Sequence, residues 1–240
     1  MYAAVTSATL AGIDSLPVRV EADLAPGLPG MHLVGLPDTA VREARERVRA
    51  AVRNSGLQYP QRRLIVNLAP ADLRKEGPSL DLAIALALLL AQTSLPPDCL
   101  RSGLVVGELA LSGELRPVRG ALGAALLARQ RGLQRLLLPR SNFPEVSMIS
   151  GIELVPLASL AEAVDYLRGR FVPKAPQPGS GREPEQAPDL SEVRGQLKAR
   201  RALDIAAAGG HNLLLSGPPG TGKSMLANRL PGLLPPLSED

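Results

Sequence analysis

The chain has 240 residues, 45% of them hydrophobic, and a formal net charge of +4. That length admits one or two domains, and the apolar fraction suits a packed core rather than a disordered chain. Aromatic residues make up only 2%, which disfavours aromatic stacking as a main nucleic-acid binding mode and leaves the core to Leu, Val, Ile and Ala.

Cys99 is the single cysteine, so an internal disulfide is excluded and a cysteine-based metal site is disfavoured. Residues 1–6 show no basic leader, and the longest apolar run, Leu82 to Ala91, is about half of a membrane span. The expectation is a soluble, cytoplasmic protein with no membrane partner. The mild basic excess permits a nucleic-acid partner without requiring one.

Taken in chain order, Pro17 to Leu24 alternates apolar and polar residues and predicts a half-buried strand. Pro37-Asp38-Thr39 opens a helix that runs to about Asn54 and stops at Gly56, with Val41, Ala44, Val48, Ala51 and Val52 on its apolar face. Glu43 and Arg47 form a supporting i,i+4 pair. Arg63 to Leu68 is a second strand, and Ser79 to Gln92 is a helix so apolar that it must be covered on most sides. Leu104 to Leu115 reads as two short strands turning near Ser112-Gly113. Arg119 to Gly132 is a helix, Leu133 to Leu138 and Ile152 to Val155 are strands, and Ser159 to Gly169 is a closing helix. Strands and helices interleave without strict β-α alternation, so the first domain is expected to be α+β or mixed α/β over residues 1–170.

Residues 171–188 carry Pro173, Pro176, Pro178, Pro184 and Pro188 around Gly179-Ser180-Gly181, which predicts an extended linker. Beyond it, residues 189–240 contain Gly217-Pro218-Pro219-Gly220-Thr221-Gly222-Lys223-Ser224, a complete G-x-x-x-x-G-K-[ST] phosphate-binding loop. The run His211 to Leu215 before it predicts a strand, and Met225 to Leu230 after it is compatible with a helix. In that setting the glycines let successive N–H groups converge on a phosphate at a helix N-terminus. Lys223 would reach the β- and γ-phosphates of ATP, and the Ser224 hydroxyl would hold Mg²⁺. The loop ends sixteen residues before Asp240. The segment is therefore expected to be the beginning of an α/β P-loop domain that binds ATP weakly and hydrolyses almost none by itself. Its strand, lacking sheet partners, is expected to leave it only partly folded.

The lead-in Asp189-Leu190-Ser191-Glu192-Val193-Arg194-Gly195-Gln196, the stretch Arg200 to Leu215, the loop itself and Leu230 to Leu237 resemble the magnesium-chelatase-like AAA+ ATPases. Within that family the resemblance is to the ComM/YifB competence-protein branch. Gly27-Leu28-Pro29-Gly30, Val34-Gly35-Leu36-Pro37 and Asn67-Leu68-Ala69-Pro70-Ala71-Asp72-Leu73 carry it through the first domain. It implies a homo-hexameric ring that uses ATP and Mg²⁺ and remodels single-stranded or branched DNA, with Val193 and Gly195 lining the adenine pocket. A magnesium-chelatase motor subunit and a non-enzymatic oligomerisation or partner-binding module are the alternatives.

Gly77-Pro78-Ser79 is similar to the nucleophile turn of Lon-type proteases, and Gly107 to Val118 is similar to the stretch leading to their catalytic lysine. This resemblance implies a Lon/ribosomal-S5-like first domain. The lysine position falls on Leu122, which cannot act as a base, and no Lys or His lies between Gly107 and Gly132. Ser79 is accordingly expected to cap the helix that follows, and the domain to be non-proteolytic. Arg42, Arg45, Arg49 and Arg53 share one side of the 38–54 helix, with Arg62 and Arg63 following. Either they form a solvated face, partly offset by Glu43 and Glu46, or they contact a phosphate backbone. For an isolated helix the solvated face is favoured, and copies lining one channel of a ring would change that balance.

Overall fold

The computed structural model describes residues 1–176 and 188–235. The chain divides into two compact units, Met1–Gln177 and Pro178–Asp240. Most of the expected linker, residues 177–187, lies outside the described residues, as do Pro236 and Leu237 of the family-like stretch. Residues 171–176 have no regular structure, and Phe171 packs partly against the first unit's core.

The first unit opens with a long hairpin, β1 (Tyr2–Ala11) and β2 (Asp14–Ala25), in register from Tyr2↔Asp23 to Ala11↔Asp14. In β2 the alternation is as expected: Val18, Val20, Ala22 and Leu24 are buried. After β3 (Gly30–Val34), the helix α1 (Thr39–Asn54) crosses over to β4 (Arg63–Ala69), which pairs parallel with β3 and antiparallel with β2. A 3-10 turn at Pro78–Leu80 leads into α2 (Asp81–Ala91), of which every residue but Leu90 is buried. The sheet is then extended by β5 (Gly103–Val105), β8 (Arg135–Pro139) and β9 (Glu153–Leu157), each parallel to its neighbour. Between them β6 (Glu108–Leu109) and β7 (Leu115–Arg116) form a separate small hairpin. The helices α3 (Ala121–Gln130), α4 (Phe143–Val146) and α5 (Leu160–Leu167) complete the unit.

The result is a seven-stranded sheet in the order β3-β4-β2-β1-β5-β8-β9, parallel at four of its six pairings. Its faces are covered separately. The residues of α1, α2 and α5 share one cluster with Val18, Val20 and Leu137, while α3 and Val146 of α4 share another with Leu136 and Leu138. Helices on both faces make this a mixed α/β architecture rather than one that segregates them to one side. The Leu104–Leu115 segment yields three short strands where two were expected, because Gly103–Val105 joins the main sheet and only the later pieces form a hairpin.

A fixed cluster ties the most family-specific stretches together. Gly35 has φ +99° and approaches β4 so closely that a Cβ would lie 2.2 Å from the Leu68 carbonyl oxygen. Lys75 N donates to Leu36 O at 3.3 Å, and Asp38 N donates to Lys75 O at 3.1 Å. The Asp38 carboxylate accepts from Val41 N at 2.7 Å, capping α1, and from Gly77 N at 3.1 Å. The buried Asp81 carboxylate takes two hydrogen bonds from Arg47, at 2.7 and 3.0 Å, and one from Leu109 N at 3.3 Å. Burial pushes the Asp81 carboxyl up from the ordinary range, although Arg47 opposes that shift.

The second unit contains a 3-10 turn (Leu190–Glu192), α6 (Leu197–Gly209), α7 (Lys223–Ala227) and a second 3-10 turn (Leu230–Leu233). Its core consists of Leu190, Val193, Leu203 and Leu226 among the described residues. The predicted strand His211–Leu215 is not formed. Leu214 is 90% exposed, and no strand among the described residues of this unit is there to accept its backbone hydrogen bonds.

Candidate functional site

In the second unit, α6 ends on Gly210 in the left-handed region, and the chain runs without regular structure to the phosphate-loop sequence. Gly217, Gly220 and Gly222 have φ +158°, +83° and +78°, values that side chains rarely adopt at these turns. Pro218 and Pro219 lie between the first two of them. The loop closes on itself: the Thr221 hydroxyl donates to the Pro218 carbonyl at 2.9 Å, and Lys223 Nζ donates to the same oxygen at 2.8 Å. Two donors that the sequence assigns to the loop therefore converge on one carbonyl oxygen. Ser224 is exposed in the first turn of α7. That helix has only five residues, so the expected helix-dipole contribution is small.

The lead-in segment is brought to the loop. Asp189 caps the 3-10 turn by accepting from Ser191 N at 2.7 Å, a bond that holds its carboxyl below the usual range. Val193 is buried beside Leu226 of α7 in the unit's core. Gly195 has φ +71° and Gln196 φ +49°. This backbone turn releases the Gln196 side chain from capping α6, and its amide donates to Thr221 O at 3.3 Å. Arg229 fastens the other side through Asp189 O at 3.0 Å, Met225 O at 2.9 Å and Glu192 Oε2 at 2.8 Å. Sequence reasoning assigns a role to neither Gln196 nor Arg229. A polar residue straight after Gly195 is the only available signal for the first, and nothing marks the second.

The other sequence-predicted position, Ser79, lies in the first unit. It does not cap α2: it sits inside the 3-10 turn Pro78–Leu80, and neither that turn nor α2 receives a side-chain cap. The 3-10 turn displaces the serine from the cap position, and its backbone carbonyl instead accepts from Gly107 N at 2.9 Å. Ser79 borders a pocket of about 590 Å³ together with Asp38, Glu76, Glu108 and Arg119. No lysine or histidine lines that pocket among the described residues. Leu122 stands on α3, 40% exposed, and is not part of its wall. Lys75 is fully buried, and burial pushes its amine down from the ordinary lysine range, as a base would need. Its Nζ, however, donates to the Pro70 carbonyl, and the residue does not line the pocket.

Among the described residues no helix is long and apolar enough to cross a membrane, and no cluster of His, Cys, Asp and Glu could hold a metal ion.

Comparison with known proteins places these features in a family. The family described as subunit ChlI of Mg-chelatase matches residues 20–142, and the one described as magnesium chelatase, subunit ChlI, matches residues 189–240. The uncharacterized protein YifB of Escherichia coli (strain K12) is 46% identical over 95% of this chain and 45% of its own length. The competence protein ComM of Haemophilus influenzae is 43% identical over 95% of this chain and 46% of its own length. A shorter stretch, 46% of this chain, is 35% identical to 14% of the peroxisomal Lon protease homolog 2 of Caenorhabditis elegans. The chain spans about half the length of the YifB and ComM relatives it matches. With a glycine-shaped phosphate loop in one unit and matches running through both, the chain belongs to the magnesium-chelatase-like AAA+ family, in its ComM/YifB branch.

Proposed function

We propose that the chain is the front part of an ATP-driven AAA+ motor that remodels branched DNA, with residues 217–224 as its nucleotide site. The observation that carries the reading is the convergence of Lys223 Nζ and Thr221 Oγ1 on one point of a loop shaped by Gly220 and Gly222. Those donors and that curvature fit a polyphosphate. Gly217, Pro218, Pro219, Gly220, Thr221 and Gly222 would wrap the phosphates, Lys223 would neutralise them, and Ser224 would offer a hydroxyl oxygen to Mg²⁺. Val193 and Gly195, next to the loop through Gln196, would border the adenine. ATP, when bound, would supply the free energy of phosphoryl transfer; the residues present here bind and orient it. Membership of the ComM/YifB branch supports the DNA reading and a ring of identical subunits.

Calorimetry tests the nucleotide site: the uninterrupted protein is expected to bind Mg-ATP, and Lys223→Ala to weaken binding by about tenfold or more, as removal of a charge-assisted hydrogen bond does. Equal heat from both proteins would remove the assignment. A second reading, motor-driven metal insertion into a porphyrin, is favoured by the chelatase-subunit descriptions of both matching families. ATP turnover stimulated by branched DNA supports the first reading, and turnover indifferent to DNA supports the second.

We further propose that the first unit is a Lon/ribosomal-S5-like domain without proteolytic activity. Two observations support this: the partial identity to a Lon protease, and the lack of a lysine or histidine lining the Ser79 pocket among the described residues.

A further inference from the structure

The arginines of α1 divide into one held by buried partners and four on the exposed side of the helix. Arg47 is 19% exposed at its side chain and is committed to Asp81 and to Ala40 O. Arg42, Arg45, Arg49 and Arg53 lie on the side away from Val41, Ala44, Val48, Ala51 and Val52. Among the described residues Arg42 and Arg53 have no side-chain hydrogen bond or ion pair. Arg45 meets only Glu46, at 3.1 Å, with both side chains more than half exposed. Such a pair contributes little. Arg49 lies over the Tyr59 ring, 5.8 Å from its centroid, which fixes its position without neutralising it. Like charges three and four residues apart on a helix repel, at about 0.2–0.5 kcal/mol per pair. The row therefore carries repulsion, set against the exposed Arg45–Glu46 pair, the Arg49–Tyr59 contact and the place of Arg53 in the last turn of the helix.

A pocket of about 310 Å³ opens beside this row. His32 of β3, Arg45, Glu46 and Arg49 of α1, and Tyr59 and Gln61 of the following segment line it, with the Glu46 carboxylate the one acidic group among them. β3 is the edge strand of the sheet, so the pocket lies at the sheet margin. At 1.5 Å of rise per residue, Arg42 to Arg53 spans about 16 Å in steps of about 4.5–6 Å. A nucleic-acid strand, with one charge per roughly 3.4 Å of helix axis, places several phosphates along such a row. α1 exposes no large apolar side chain, which a lipid surface or the centre of a protein interface would require.

We propose that this face of α1, with the pocket beside it, is a contact surface for the sugar–phosphate backbone of single-stranded nucleic acid. The choice of nucleic acid over another polyanion rests on the DNA-remodelling reading; the exposed arginine row does not. Binding is independent of sequence and falls with salt.

The test is fluorescence anisotropy of the 240-residue chain with a labelled oligothymidylate of about twenty nucleotides, in nucleotide-free buffer, across a salt series. The double variant Arg45→Gln/Arg49→Gln is expected to weaken binding about tenfold at low salt. It should also flatten the log–log salt slope by about 1.4, since each phosphate no longer neutralised on a single strand removes about 0.7. Arg45→Lys/Arg49→Lys should keep the slope, and Arg129→Gln/Arg131→Gln at the end of α3, an equal change of charge elsewhere, should alter affinity less than about twofold. Thermal unfolding of each variant distinguishes weakened binding from a damaged fold. Equal weakening by the α1 and α3 pairs, an unchanged slope, or competition by polyglutamate as effective as by unlabelled oligonucleotide would each overturn the proposal. The assay contains no nucleotide, so failure at the arginine row and failure at the phosphate loop are read independently.

Discussion

Asp38 does two tasks with one carboxylate: it caps α1 through Val41 N and holds Gly77 N at the rim of the Ser79 pocket. Asp38→Ala is expected to cost about 2 kcal/mol in urea unfolding, from removal of the cap and from a donor left without its partner. The cap is legible in the sequence because Pro37-Asp38-Thr39 precedes a helical apolar pattern. The bond to Gly77 is not, since it joins residues 39 apart in sequence. Ser79 misleads for a related reason. A serine ahead of an apolar run is a helix-start signal, but Pro78 begins the turn one residue earlier and carries the serine past the cap position. A serine-directed covalent probe is expected to leave Ser79 unlabelled; stoichiometric labelling that Ser79→Ala abolishes would show an active nucleophile. Glu21 reports on acid stability. Hydrogen bonds from Asn67 first, then from Tyr2 and Arg19, hold its carboxyl below the ordinary glutamate value of 4.5. A depressed carboxyl stabilises the fold above that value, and the contribution is lost as pH falls through the lower folded-state value. Glu21→Gln should therefore flatten the stability-versus-pH curve below about pH 4.5 and leave its slope near neutrality unchanged.

At the scale of elements, the pattern of apolar residues locates α1, α2, β2 and β4 to within a few residues, because each has a face that must be buried. It does not reveal β1. That strand buries Ser7 and Thr9 alongside Val5 and Ala8, so its inward face does not read as hydrophobic. Ser7 is accommodated because its hydroxyl donates to Val105 O at 2.6 Å. β3 is hidden too: Gly30–Val34 is short, and His32 and Val34 lie exposed at the sheet edge. Its close approach to β4 is set by Gly35, and Gly35→Ala is expected to destabilise by at least about 3 kcal/mol in equilibrium unfolding, from both the clash with Leu68 O and the positive φ. The Arg47–Asp81 pair joins α1 to the start of α2. Asp81→Ala should cost about 3–5 kcal/mol, because it leaves a guanidinium short of its partner. Arg47→Met/Asp81→Leu should recover much of that loss.

For the molecule as a whole, stability is unevenly divided. The first unit has a sheet packed on both faces, whereas the second rests on a four-residue apolar cluster, and its run from His211 to Leu215 pairs with no strand among the described residues. Amide hydrogen exchange is expected to show slow exchange in β1, β2, β4 and α2 and fast exchange across 211–216, with protection around residues 217–224 rising when Mg-ATP is added. Comparable protection in both units without nucleotide would contradict this division. The turn over residues 217–224 is legible in the sequence, since a fixed spacing of glycines and a lysine reports a local backbone shape. The strand expected before it is not, because a strand exists only through its neighbours.

Pro218 would give the proposed nucleotide site a further property. Its carbonyl accepts both the Lys223 ammonium and the Thr221 hydroxyl. At the proposed site a phosphate would compete with this internal acceptor for the same two groups, so substitutions that reorient that one peptide oxygen should alter association kinetics while leaving the binding chemistry intact.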